Sequence, residues 1–170
     1  MKKILTNLTF ILFVNSVFLI GISCEAEIGD SCSSSTDCSS KGDRICDVSS
    51  PGGYCTISGC QADSCPSESV CISFYPPELL VQPCNPITED AWGENTSNDC
   101  NESEVCLSSG YCAPTIFEHR YCMKKCSKDS DCRSNYKCIE TSTAPYAQKT
   151  PNDSQNTATT GFAKFCSPTP

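Results

Sequence analysis

Apolar side chains are scarce in this chain once its first two dozen residues are set aside. From Glu25 to Pro170, Leu, Ile, Val and Phe together number 18 of 146 residues, about 12%, against the ~20% below which a chain ordinarily cannot build a core. The overall hydrophobic content of 38% hides this shortage, because it counts 17 cysteines and an apolar leader. Nothing after Ser23 is long or apolar enough to span a bilayer. Histidine occurs once, as His119, so any Ser-His-Asp or Cys-His device would have to be built on it, and no nucleophile motif lies nearby. Beside Glu118 and Arg120 it reads as a solvated loop residue. The carboxylates are scattered, with no two spaced to share a face, so no catalytic residue is expected and the chain is not read as an enzyme. Also missing is any C-x2-C spacing, the nearest being Cys122 and Cys126 with three residues between them. In an exported chain that spacing argues for oxidation over thiolate ligation, and no metal or cofactor is expected.

Cysteine stands in for the missing core. Met1-Lys2-Lys3 followed by a mostly apolar Ile4 to Ile22 has the form of a secretory signal peptide over residues 1–23. Export allows thiols to oxidise, and each bridge removes about 2 to 4 kcal/mol of unfolded-state freedom. Seventeen is odd, and Cys24 sits at the leader boundary, so sixteen cysteines remain to close as eight bridges. They are Cys32, Cys38, Cys46, Cys55, Cys60, Cys65, Cys71, Cys84, Cys100, Cys106, Cys112, Cys122, Cys126, Cys132, Cys138 and Cys166. The expected fold class is small and disulfide-rich, with irregular loops, short β-strands and hairpins, two tandem cysteine-rich modules and little helix after the leader.

The stretch G21-I22-S23-C24 resembles the lipobox of bacterial lipoproteins, in which the cysteine after the cut receives a diacylglyceryl thioether and becomes the mature N-terminus. That family favours Leu where this chain has Gly21. The resemblance implies a membrane partner engaged through lipid on Cys24, a tether over 24–28, and, with Glu25 rather than Asp next, an outer-membrane or cell-surface location. Stable anchoring needs more than one acyl chain. An ordinary cut after Ala26 would discard Cys24, also leave sixteen cysteines, and release a soluble secreted protein. Parity does not choose between the two.

Cysteine spacing repeats along the mature chain. Cys32-x5-Cys38-x7-Cys46, Cys100-x5-Cys106-x5-Cys112 and Cys126-x5-Cys132-x5-Cys138 are similar runs, with Asp37, Asp99 and Asp131 each before a cysteine. The expected division is an N-terminal module over 29–84, an acidic linker over 85–99, and a C-terminal module over 100–170 carrying a flexible polar loop at 140–161. Seven cysteines up to Cys71 plus Cys84, and eight from Cys100 onward, would let each half close on itself. Short strands are expected at 70–74, 136–139 and 162–166. The recurring Asp residues fit turn caps that accept backbone N–H groups better than a calcium site. The apolar segment Cys71 to Cys84 is expected to form a small core between the modules. This layout resembles cysteine-rich bacterial surface lipoproteins and, more distantly, Dickkopf-type and EGF-like modules, which implies binding or adhesion by analogy.

Charge separates along the chain. Cys24 to Glu118 holds 16 acidic residues against Lys41 and Arg44, whereas His119 to Pro170 holds 8 basic residues against 4 acidic. Within the basic part, Arg120, Lys124, Lys125, Lys128, Arg133 and Lys137 cluster among four cysteines and form the candidate binding face, suited to an anionic polymer, membrane headgroups or a surface protein. Nucleic acid is not expected as a partner of an exported chain with net charge −8. The leading expectation is a cell-envelope lipoprotein with disulfide-stapled, non-catalytic binding or adhesion modules. The alternative is a soluble secreted ligand, or a protease or receptor inhibitor, acting through a rigid disulfide loop.

Overall fold

Eight of the nine strands among the described residues carry a cysteine. They are β1 (Ile45–Asp47), β2 (Tyr54–Thr56), β3 (Ser69–Phe74), β4 (Glu104–Cys106), β5 (Cys112–Pro114), β6 (His119–Lys124), β7 (Tyr136–Glu140) and β9 (Lys164–Pro168); β8 (Ala147–Lys149) is the exception. The structure, a computed structural model, describes residues 25–89, 100–151 and 162–169. The leader, Cys24, Asp99, Trp92 and most of the acidic linker therefore lie outside the described residues. Helix among the described residues is confined to one four-residue turn, α1 (Ser35–Cys38), and a few 3-10 turns. No helix among the described residues is long and apolar enough to cross a membrane. The fold is small, strand-rich and disulfide-rich, as the composition requires.

All sixteen cysteines from Cys32 onward are paired, and the pairing has one rule. In the groups Cys32/38/46/55, Cys60/65/71/122, Cys84/100/106/112 and Cys126/132/138/166, the first cysteine bonds the third and the second bonds the fourth. In each group the third and fourth cysteines face each other across an antiparallel pair: Cys46 and Cys55 on β1–β2, Cys71 and Cys122 on β3–β6, Cys106 and Cys112 on β4–β5, Cys138 and Cys166 on β7–β9. Two bridges thus staple each pair at one register position. An isolated two-stranded hairpin is marginal in water, so strands this short need such staples.

The expectation that each half closes on itself is overturned. Cys65 bonds Cys122 and Cys84 bonds Cys106, and both bridges cross the expected boundary. The physical reason is register: β3 pairs along its whole length with β6, from Ser69 opposite Lys124 to Phe74 opposite His119. The whole third group, Cys84 to Cys112, is an insertion in the connection between these two strands. His119 is correspondingly the first residue of a strand and not of a loop, though it is exposed.

The flexible loop expected at 140–161 is also corrected over its first half. Glu140 ends β7, Thr141–Thr143 forms a 3-10 turn, and β8 adds to the free edge of β3, giving a three-stranded sheet in the order β6-β3-β8. Thr141, Gln148 and Thr150 are buried and hydrogen-bonded: Thr150 Oγ1 lies 2.9 Å from Ser73 Oγ, and Gln148 Oε1 accepts from the Ser108 N–H at 2.9 Å. Polar side chains satisfied in this way can occupy an interior. Residues 152–161 lie outside the described part.

The core lies where the central sheet meets β2, β7 and β9. Ile28, Tyr54, Ile72, Tyr136, Ala147 and Phe165 are buried there, with the Phe165 ring edge-on to Phe74 at 5.8 Å between centroids. A second, smaller cluster of Tyr75, Leu107 and Ala113, with Leu80 and Val105 against it, joins the insertion to the main body. The apolar segment thus divides: Ile72 enters the main core, Tyr75 and Leu80 the second cluster, and Val81 is 79% exposed.

Candidate functional site

In three of the four groups the turn between the first and second cysteines is built by one short side chain. Asp37 Oδ2 accepts from the Ser33 and Ser34 N–H groups at 2.8 and 2.9 Å. Asp131 Oδ2 accepts from Ser127 and Lys128 at 2.8 and 3.1 Å. In the second group Ser64 takes the place, accepting from Gln61 at 2.8 Å. These backbone donors hold both aspartate carboxyls below the usual range, so both remain charged but are occupied by their own turns.

The fold divides the six cations expected to share a face: Arg120 and Lys124 lie on β6 and Lys137 on β7, while Lys128 sits in the Asp131 turn. Arg133 is turned inward: its guanidinium lies 4.3 Å from the Tyr136 ring centroid, and Nη2 donates to the carbonyls of Pro51 and Gly53 and to Tyr136 Oη. Gly53 sits at φ 67°, and a Cβ there would overlap the Cys32 carbonyl, so the chain reaches Arg133 only through glycine. Arg120 pairs with Glu118 at 2.7 Å. Lys128 is exposed just before the 3-10 turn Asp129–Asp131, and Lys137 is exposed on β7. Of the six, Lys124 and Lys125 line one cleft, and Lys124 also borders, with Arg133, a smaller cavity of about 350 Å³ against Tyr54 and Tyr136.

That cleft, of about 530 Å³, is completed by two lysines from elsewhere in the chain. Lys149 arrives on β8 opposite Ile72, and Lys164 opens β9 opposite Glu140. Val70, Cys126, Phe162 and Ala163 provide its apolar wall, and Asp131 is its one carboxylate among the described residues. Lys124 Nζ lies 3.3 Å from Glu27 Oε2, and Lys125 Nζ donates to the Ser67 carbonyl at 3.0 Å. Lys149 and Lys164 have no ion-pair partner among the described residues. A concave wall of one sign focuses its field on whatever enters, so the cleft is suited to hold an anionic group. Sequence proximity found Lys124 and Lys125; Lys149 and Lys164 were missed because strand pairing, not spacing, delivers them. The close groups of sulfurs, such as Cys126, Cys132 and Cys166, are all disulfide sulfurs and offer no thiolate to a metal.

A second cavity, of about 510 Å³, opens where the β1–β2 turn, the central sheet and the end of β9 meet. Tyr54 stands at its base, with burial first and then the Tyr136 hydroxyl raising its phenol to about 12, so it stays protonated. No family model, no curated protein and no solved structure matches the chain.

Proposed function

We propose that this chain is an exported, non-catalytic binding module that holds an acidic polymer in its lysine cleft and is tethered to the cell envelope through lipid on Cys24. The observation that carries the reading is the convergence of Lys124, Lys125, Lys149 and Lys164 on one site whose described lining holds a single, internally occupied carboxylate. A cleft takes a strand of carboxylate- or sulfate-bearing units better than the flat plane of a bilayer, because the lysines line a recess. Disulfide stapling supports it further, since rigid donors lose little ordering entropy on binding. The four group-wise staples fit degenerate copies of one unit, an arrangement suited to presenting a binding surface outside the cell.

Titration of the mature chain with polygalacturonate and dextran sulfate at low salt tests this. Each lysine contributes about 1 kcal/mol toward an anionic surface, so Lys149→Glu with Lys164→Glu should weaken binding by roughly tenfold or more. Lys128→Glu with Lys137→Glu, outside the cleft, should leave it nearly unchanged. Equal loss in both pairs would reduce the effect to net charge, and binding to phosphatidylglycerol vesicles alone would move the ligand to the membrane. Intact mass of the native N-terminus reads the tether: acylation at Cys24 supports it, and a chain starting at Glu27 gives the secreted form.

A further inference from the structure

The second cavity differs from the lysine cleft in every property that selects a ligand. Three part-exposed rings, Phe74, Tyr121 and Tyr146, border it, with Tyr54 and Met123 buried behind them. Phe74 and Tyr121 lie on adjacent strands with their centroids 6.3 Å apart and their planes tilted by 49°. Among the described residues no lysine or arginine lines it, and its single charged residue, Asp47, has both carboxylate oxygens occupied by Ser49 and Ser50. The remaining polar equipment is hydroxyl. Tyr121 and Tyr146 have no hydrogen-bond partner for their phenols among the described residues, and neither does the side chain of Ser167, which is only 8% exposed. Ser167 shares with Phe165 the face of β9 that packs on the central sheet, since alternate residues of a strand point the same way. A hydroxyl without a protein partner at the wall of a cavity is free to exchange hydrogen bonds with a ligand.

We propose that this cavity is a second binding site, which takes an uncharged sugar ring. The volume falls within the ~300–1,000 Å³ of small-molecule sites, and a junction of structural units is where such sites concentrate. A pyranose presents an apolar C–H face and a rim of hydroxyls. The C–H face stacks on the exposed rings of Tyr121 and Tyr146, and the rim exchanges hydrogen bonds with their phenols and with Ser167. An anionic ligand finds no cation here. A purely apolar ligand would bury three hydroxyls unpaired, a cost that favours the sugar. The site does not depend on the lysine cleft: it uses different residues and no charge.

The test is titration of the mature chain with neutral tetramers of β-linked glucose and of N-acetylglucosamine, followed by tyrosine fluorescence and amide chemical shifts. Binding of one of them should be insensitive to salt and should shift residues of β6 and the end of β9. Tyr146→Ala should weaken it at least tenfold, and Tyr121→Phe, which keeps the ring and removes only the phenol, severalfold. Ser167→Ala provides a further variant if Tyr146→Ala disturbs the fold, read from amide dispersion. The lysine reversals at 149 and 164 should leave sugar binding unchanged. No binding by either tetramer at millimolar concentration overturns the proposal, as does binding that survives all three variants. Loss of sugar binding in the lysine variants overturns it too, by placing the sugar in the basic cleft.

Discussion

Residues 84–112 and the body that carries them are stapled by the same pairing of cysteines, yet they are held by different means. The body packs 13 buried residues into one cluster, centred on Ile72, Tyr136 and Phe165, beneath six cross-linked strands and β8. The insertion shares a cluster of only three, Tyr75, Leu107 and Ala113. Both its bridges, Cys84–Cys106 and Cys100–Cys112, are internal, so no disulfide ties it to the body. Among the described residues it is held to the body by the packing of Tyr75 and by hydrogen bonds that include Ser108 N–H to Gln148 and Ser109 Oγ to the Pro145 carbonyl, and to its own flanks by the Cys112 N–H to the Gln82 carbonyl and by Thr115 to the Ser103 carbonyl. Val81, Ile87, Tyr111, Ile116 and Phe117, five of the eight exposed large apolar residues among those described, lie in or beside it. The difference teaches that in a chain this poor in apolar residues the bridges set the local shape, while the small shared core decides which parts unfold together.

The largest expected effect comes from removing Cys65–Cys122, which spans 57 residues and ties the arms of the central pair. Chain-entropy arguments put its loss at about 4 kcal/mol. Cys65→Ala with Cys122→Ala should lower the urea midpoint of the whole body and release amide protection in β3 and β6. Removing both bridges of the insertion by Cys→Ala at 84, 100, 106 and 112 should release only residues near 84–117. Loss of protection in β3 and β6 in that second variant would break the comparison, because the insertion would then hold the body together.

Next in size are two substitutions of equal burial, Phe165→Ala and Leu107→Ala, both at residues with 0% exposure. Core truncations of this kind cost about 3–5 kcal/mol for Phe and 2–5 for Leu. Phe165→Ala should draw on the stability of the entire body and shift its unfolding midpoint. Leu107→Ala should appear as faster hydrogen exchange confined to β4 and β5, with the body's midpoint little changed, because a weakly coupled unit opens at its own lower free energy. A shared shift in both variants would show that Tyr75 couples the two clusters more strongly than three residues suggest.

Much of this architecture was legible in the sequence, and the rest failed for identifiable reasons. The 18 aliphatic and phenylalanine residues in 146 required staples, and apolar or aromatic residues around Cys71, Cys138 and Cys166 marked strands. Asp37 and Asp131 marked the second cysteine of their groups. The pairing of Cys71 with Cys122 was invisible, because a strand register across 51 residues leaves no local pattern. Cys84 was assigned to the wrong group for a related reason: its partner group continues only at Cys100, whereas the other groups space their first two cysteines closely. The segment 141–150 reads as loop because Thr, Ser and Gln look solvated until their buried partners are known. For the lysine cleft, local clustering found half of the site, and it counted Arg133, whose aromatic partner Tyr54 is distant in the chain.

The smallest expected effect lies at the joint between the two regions and depends on pH. Tyr75 leaves β3 and Glu118 leads back into β6, so the two residues stand on the two arms that carry the insertion. Tyr75 Oη donates to Glu118 Oε1 at 3.2 Å, and Arg120 Nη2 donates to Oε2 at 2.7 Å. Burial alone would raise the Glu118 carboxyl, but the hydrogen bonds from Arg120, Ser73 and Tyr75 outweigh it and leave the carboxyl below its usual range. A carboxyl lowered in the folded state contributes stability that is fully present above its unfolded value of about 4.3 and is lost as pH falls through the folded value. Acidification below about pH 4.3 should therefore loosen the clasp between the arms before it affects the body. One such clasp is worth no more than about 1 kcal/mol, since half-exposed ion pairs are screened. Hydrogen exchange of residues 75–80 and the Tyr75 ring shifts, followed from neutral pH downward, should show this titration in the native chain and not in Glu118→Gln. If the same titration persists in Glu118→Gln, another carboxylate governs the joint and the clasp does not couple the two regions.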